Sequence, residues 1–210
     1  FSPSDACELT LDPNTAHRNL LLSEDNRRVT LVDKDQPYHF HPDRFDSFKQ
    51  VLCTNELTGR CYWEVKINES LYVAVTYRGI SRRGEGDDCR FEFNDKSWGL
   101  LYGDEDRVTH RLLEMSMLIN HNCTGVVAVY LDWPAGFVSF YKVGFGRTLT
   151  HRRTFYCRFT EPLYPGFGFE TVFPHKHSSP PSVVLCPLMS EQSQTEVQSA
   201  LPGVIQQSSI

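Results

Sequence analysis

The sequence predicts an all-β chain built as two antiparallel sheets packed face to face, with little helix. Three observations carry that prediction. Short runs rich in Val, Tyr, Phe and Trp recur at near-regular spacing, apolar and polar residues alternate within them, and no long amphipathic helical stretch occurs.

Taken in chain order, Pro13-Asn14-Thr15-Ala16-His17-Arg18 is the best helix candidate, with Asp12 as cap and Pro at the first helical position. Segment 61–67 reads as a strand: Cys61, Trp63, Val65 and Ile67 alternate with Tyr62, Glu64 and Lys66, which places one apolar row inward. Segment 71–77 repeats the pattern through Leu71, Val73, Val75 and Tyr77. Segments 125–131, 136–141 and 154–159 are further strands. Between the first two of these, Asp132-Trp133-Pro134-Ala135-Gly136 supplies a side-chain cap, a fixed φ and a permitted positive φ, so it reads as a hairpin turn. Gly144-Phe145-Gly146 and Gly166-Phe167-Gly168 read as loop glycines near strands. From Met189 onward the chain is Ser- and Gln-rich with few bulky apolar residues, so residues 189–210 read as a disordered tail.

Composition bounds the function. The chain has 210 residues, 40% apolar and 22% charged, which suits one large β domain without metal or disulfide staples. Phe1 opens a segment unlike a cleavable leader, so the chain reads as a piece of something longer, whose N-terminal remainder would be one of its partners. A net charge of −5 and a pI near 5.9 give no field to attract phosphate backbone, and Arg27-Arg28, Arg82-Arg83 and Arg152-Arg153 lie in separate segments. Nucleic acid is therefore not expected as a partner. The longest uncharged apolar stretch, Gly125 to Leu131, falls far short of the roughly 18 residues of a membrane span. The 7 cysteines are odd in number and never form a Cys-x-x-Cys pair, so they read as buried, reduced thiols of a cytoplasmic protein, Cys61 and Cys157 behaving as small hydrophobes. Asn68-Glu69-Ser70 and Asn122-Cys123-Thr124 are glycosylation triplets that matter only for a secreted chain.

Other motifs then enter in a fixed order. Leu9-Thr10-Leu11-Asp12-Pro13-Asn14-Thr15-Ala16 is followed by Leu20-Leu21-Leu22-Ser23; next come Trp63-Glu64-Val65, then Leu131-Asp132-Trp133-Pro134-Ala135-Gly136 with Ser139-Phe140-Tyr141. Glu161-Pro162-Leu163-Tyr164-Pro165-Gly166-Phe167 and Val184-Leu185-Cys186-Pro187-Leu188 complete the set. This series resembles the PRY-SPRY family, with 1–58 as the PRY segment and 59–188 as the SPRY segment of one domain. Trp133-Pro134 departs from the aromatic-acid pair usual in the hairpin motif, and the charged stretch Arg82-Arg83-Gly84-Glu85-Gly86-Asp87-Asp88 after the second core strand is another departure; both alter the surface a partner would meet.

The resemblance implies a curved β-sandwich that binds a protein or peptide through its variable loops. The same unit occurs in tripartite-motif ubiquitin ligases, fish NACHT-type immune receptors, butyrophilins and stonefish toxin subunits. It implies a recognition domain of a cytosolic innate-immune receptor or ubiquitin ligase; the alternatives are a secreted pore-forming toxin subunit or a sensor of phosphorylated metabolites, which would need loop arginines to converge. Carried over, the binding face comprises Tyr77, Arg78 and Arg82; then Leu101, Tyr102 and Asp104; then Phe169 and Phe173, with Tyr102, Arg78 and Phe173 as anchors because aromatics and Arg dominate interface energy. Leu11, Asp12, Pro13, Trp63, Glu64, Val65, Leu131, Asp132 and Gly136 are structural, and Trp98 reads as core.

No hydrolase, phosphate-loop, dinucleotide or zinc-protease motif occurs, so the sequence predicts neither catalysis nor a cofactor. His39-x-His41 and His175-x-His177 have a zinc-compatible spacing but no companion Cys or carboxylate set, and Asp87-Asp88 and Asp104-Glu105-Asp106 lack the order of a calcium loop. No metal is expected.

Overall fold

Cys61, Trp63, Val65 and Ile67 are all buried, while Arg60 and Lys66 face solvent, so the period-2 pattern reads out directly as a strand with one face on a core. The structure, a computed structural model, describes residues 3–102, 125–170 and 179–187. Its strands are β1 (Leu20–Ser23), β2 (Arg28–Leu31), β3 (Gln50–Leu52), β4 (Arg60–Ile67), β5 (Leu71–Tyr77), β6 (Ser97–Tyr102), β7 (Gly125–Asp132), β8 (Phe137–Val143), β9 (Leu149–Tyr156), β10 (Leu163–Phe169) and β11 (Ser182–Leu185). They form a seven-stranded sheet in the order β1-β2-β11-β4-β7-β8-β9 and a four-stranded sheet in the order β3-β10-β5-β6, antiparallel throughout. Helix is confined to three 3-10 turns, at Pro3–Asp5, Asp87–Cys89 and Phe145–Arg147.

The N-terminal strands do not form a unit of their own. β1 and β2 extend the large sheet beyond β11, and β3 edges the small sheet against β10. Leu11, Leu20, Val51, Trp63, Val65, Val73, Leu131, Phe140 and Phe167 meet between the sheets in one continuous core.

A second, smaller core lies on the outer face of the small sheet. Phe45, Leu52, Tyr72, Ala74, Ile80, Phe91 and Tyr164 pack there, which is why β5 is buried along its whole length and not on alternate residues. Phe91 sits over β10 where Gly166 and Gly168 lack side chains: a Cβ on Gly166 would stand 2.8 Å from the Phe91 ring. The Gly166-Phe167-Gly168 pair thus belongs to a strand, not a loop, because glycine is the only residue that leaves room for that ring.

Three other expectations change. Residues 13–18 form turns and no helix: the Asn14 N–H donates to Asp12 Oδ1, and the Thr15 hydroxyl and the His17 N–H turn outward to bond Leu52 and Gln50 of β3. Bonds to a neighbouring strand take the donors and acceptors a helix would have used. The strand expected over 154–159 runs over 149–156, since Leu149 to Thr154 pair with β8 around a bulge at Phe140/Tyr141. Finally, Cys61 is no free thiol. The Cys7 N–H donates to the Tyr62 carbonyl, which brings Cys7 alongside β4, and Cys7 and Cys61 form a disulfide with Cα atoms 5.6 Å apart. Cys53, Cys89, Cys157 and Cys186 are free.

The hairpin holds as read from its residues. Asp132 Oδ1 accepts the Ala135 N–H at 2.9 Å and Gly136 has φ 76°, beside a Cys157 carbonyl that a Cβ would approach to 2.7 Å. Residues 189–210 lie outside the described residues.

Candidate protein-binding face

Where β5 ends, Ile80 turns inward and is 2% exposed, so the preceding Arg78 and Gly79 are pushed to the surface. This loop, 78–96, packs against segment 36–49, and polar bonds lace the two together. Arg82 is the main tie: its guanidinium donates to the carbonyls of Ile80, Asp43 and Arg78 at 3.1, 2.9 and 2.8 Å and lies over the Phe45 ring. Burial, the largest cause, pulls its pKa below the usual arginine value. The Asp46 N–H donates to the Arg82 carbonyl, and Asp46 Oδ1 accepts the Gly84 N–H. Beneath them the buried Gln50 amide bridges the loop, donating to the Cys89 carbonyl and accepting the Phe91 N–H. A loop held this way is preorganised, and preorganisation lowers the entropic cost of binding.

Arg78 stands at the rim, with its side chain 50% exposed, paired to Asp43 at 2.5 Å and lying over the Tyr164 ring. Beside it the two segments and Arg18 line a half-open cavity of about 190 Å³, through Phe40, His41, Arg44, Phe45, Asp46 and Arg83. Phe40 is 75% exposed, and Arg83 lies over its ring at 5.3 Å. Among the described residues no group of three or more His, Cys, Asp or Glu is placed to hold a metal ion.

Of the residues anticipated for binding, Arg78 and Arg82 lie on this face, Arg78 as an accessible group and Arg82 as its support. Leu101 is half-buried against the second core. Tyr77, Tyr102 and Phe169 are buried and pack in the main core instead. Tyr77 accepts the Thr160 N–H on its hydroxyl and stacks edge-on with Trp98, itself packed on that core. Tyr102 faces inward on β6, where its hydroxyl donates to the Tyr141 carbonyl and burial raises its pKa. Phe169, opposite Leu71, closes the end of β10. These three fall on inward positions of strands whose ends extend further than the loop alignment implied. Asp104 and Phe173 lie outside the described residues.

Phe40 and Arg44 are not singled out for binding by the sequence, which places His41 in a zinc-compatible pair, Arg83 in the charged stretch and Arg18 in the helix candidate. The signal available was an exposed-type aromatic in the polar run Tyr38-His39-Phe40-His41-Pro42-Asp43, which no strand or helix period explains.

Comparison with known proteins matches the PRY model, described as the SPRY-associated domain, at residues 9–57 and the SPRY domain model at residues 60–179. The chain belongs to the PRY-SPRY family. That family's unit is a recognition module, so membership supports a protein-interaction role. The PRY-SPRY chain is 39% identical over 163 residues to Stonustoxin subunit beta of Synanceia horrida, spanning 77% of this chain and 23% of that one. It is 37% identical over 167 residues to Tripartite motif-containing protein 16 of Mus musculus, spanning 77% and 29%. It therefore spans about a quarter of the length of these curated relatives. Among solved structures, that of stonustoxin matches with a TM-score of 0.68 and 35% identity over 86% of this chain and 27% of that one. The TRIM65 PSpry domain matches with a TM-score of 0.66 and 24% identity over 88% and 92%, a likeness of fold. Among the described residues no helix of the PRY-SPRY chain is long and apolar enough to cross a membrane.

Proposed function

We propose that this chain is the partner-recognition unit of a larger protein and that it grips a protein segment with the face formed by residues 36–49 and 78–96. The observation that carries this is the fixed rim on which Arg78 and Phe40 stand exposed while Arg82 and Gln50 hold the loops beneath them. Arginine and aromatic side chains on a rigid support are the residue types that dominate interface energy. The parent protein in this reading is a cytosolic innate-immune receptor or ubiquitin ligase, where the unit selects a target that another domain acts on.

Affinity capture with the wild-type chain beside an Arg78→Ala/Phe40→Ala variant tests the face. Both side chains are largely solvent-exposed, so the variant should melt like the wild type. Proteins retained by the wild type and lost by the variant support the reading. An identical set of captured proteins would refute this placement.

A second reading, a subunit of a secreted toxin, is favoured by the Cys7–Cys61 disulfide together with the stonustoxin likeness, since such bonds persist in oxidising compartments. Peptide mapping of the natural protein under non-reducing conditions separates the two: a linked Cys7/Cys61 peptide favours secretion, and free thiols at both favour the cytosol.

A further inference from the structure

The cavity beside Arg78 has a donor set that its own neighbours do not use up. Arg44 lines it and is only 9% exposed. Its two terminal nitrogens donate to the carbonyls of Pro13, Ala16 and His39, yet its Nε–H, fully shielded from solvent, meets no acceptor. A buried N–H without a partner forfeits its hydration with no return, so the Arg44 cation is incompletely compensated by its own neighbours. His41 supplies a donor. Its Nδ1 accepts the Asp43 N–H at 3.1 Å, which leaves the proton on Nε2.

Charge points the same way. Arg18, Arg44 and Arg83 bring three guanidinium cations to the lining against the single carboxylate of Asp46, whose Oδ1 already accepts the Gly84 N–H and the Ser47 hydroxyl. No salt bridge among the described residues engages Arg18 or Arg83. On a chain of net charge −5 this is a local reversal of sign. The size of the site narrows the ligand further. About 190 Å³ falls below the roughly 300–1,000 Å³ of pockets that enclose cofactors and drug-sized molecules, but it accommodates one acidic side chain. Phe40, projecting at the rim, offers an apolar surface to the residue next to that acid.

We infer that this cavity receives the carboxylate of an Asp or Glu side chain from a partner peptide, with the Arg44 cation behind it, His41 Nε2 as a donor, Arg18 and Arg83 as closing cations, and Phe40 against an adjacent apolar residue. The inference rests on the peptide-recognition reading above and names what is recognised. Arg44 holds the PRY turn as well as supplying charge, so it is not the residue to mutate.

The probe is a phage-displayed library of random heptapeptides selected on the 210-residue chain, followed by titration of the selected peptides in synthetic form. The expected result is enrichment of Asp or Glu beside an apolar residue. Affinity should fall about tenfold or more for Arg83→Ala, for Arg18→Ala, and for the peptide whose acid is replaced by its amide, and should weaken as salt rises. The amide peptide leaves the protein untouched, so its loss of binding owes nothing to misfolding. Selected peptides that lack an acid, keep their affinity for the Arg18 and Arg83 variants and lose it on Arg78→Ala would overturn the cavity proposal while sustaining the recognition face. A chain that retains no peptide, whether or not calorimetry detects inorganic phosphate in the cavity, would overturn both.

Discussion

His17 spends both ring nitrogens: Nδ1 accepts the Asn19 N–H and Nε2 donates to the Asp46 carbonyl. Its pKa lies below the ordinary 6.5, chiefly because burial disfavours the cation. The native state therefore binds fewer protons here than the unfolded chain, so His17 contributes stability above pH 6.5 that is lost as the pH falls below that value. Glu92 works in the opposite sense. Its Oε2 is buried without a partner, and burial raises its pKa to about 7 despite the nearby Arg153 and Arg90 charges. The native state binds more protons there, so stability falls as pH rises from 4.5 to about 7. The two slopes oppose each other, and variants separate them. Glu92→Gln should melt higher than wild type at about pH 8, by about 2–4 °C, and equal to it at about pH 4, whereas His17→Gln should melt lower at about pH 8 and lose less stability on acidification. Thermal melts across that range check both.

Elements differ in how openly the sequence declares them. β4, β5 and the Asp132–Gly136 turn are legible because their apolar rows or turn residues act locally. The outer core is not, since it depends on Phe91, some 75 positions before Gly166, finding the gap that a strand glycine leaves. The proposed face is half legible for the same reason: Arg78 follows a visible strand, but Arg44 and Phe45 are held by the PRY turn, which itself bonds β3. That long-range fit makes a coupled prediction. Phe91→Ala should cost about 3–5 kcal/mol. Gly166→Ala should be clearly destabilising alone and less so once Phe91 is gone, with Leu52 Cδ2 still 3.0 Å from the new Cβ, so a double-mutant cycle by denaturant unfolding should show a coupling of about 1 kcal/mol or more. Additive losses would mean that the ring and the glycine do not share this space.

Across the whole molecule the disulfide ties residue 7 to residue 61, a separation of 54, and so links the PRY start to the first SPRY strand. Closing a loop of that length is worth about 2–4 kcal/mol through the unfolded state. Reduction should lower the melting temperature by several degrees, and Cys7→Ser should reproduce the loss without reductant. The strand order carries another consequence. β11, made of residues 182–185, sits inside the large sheet between β2 and β4, not at its edge. During synthesis β2 and β4 emerge long before it, and each keeps an open, pairing-competent edge until the last strand arrives. Such a chain completes its native sheet only once residue 185 has been made, and in the interval the slot between β2 and β4 is open to a chaperone or a neighbouring nascent chain.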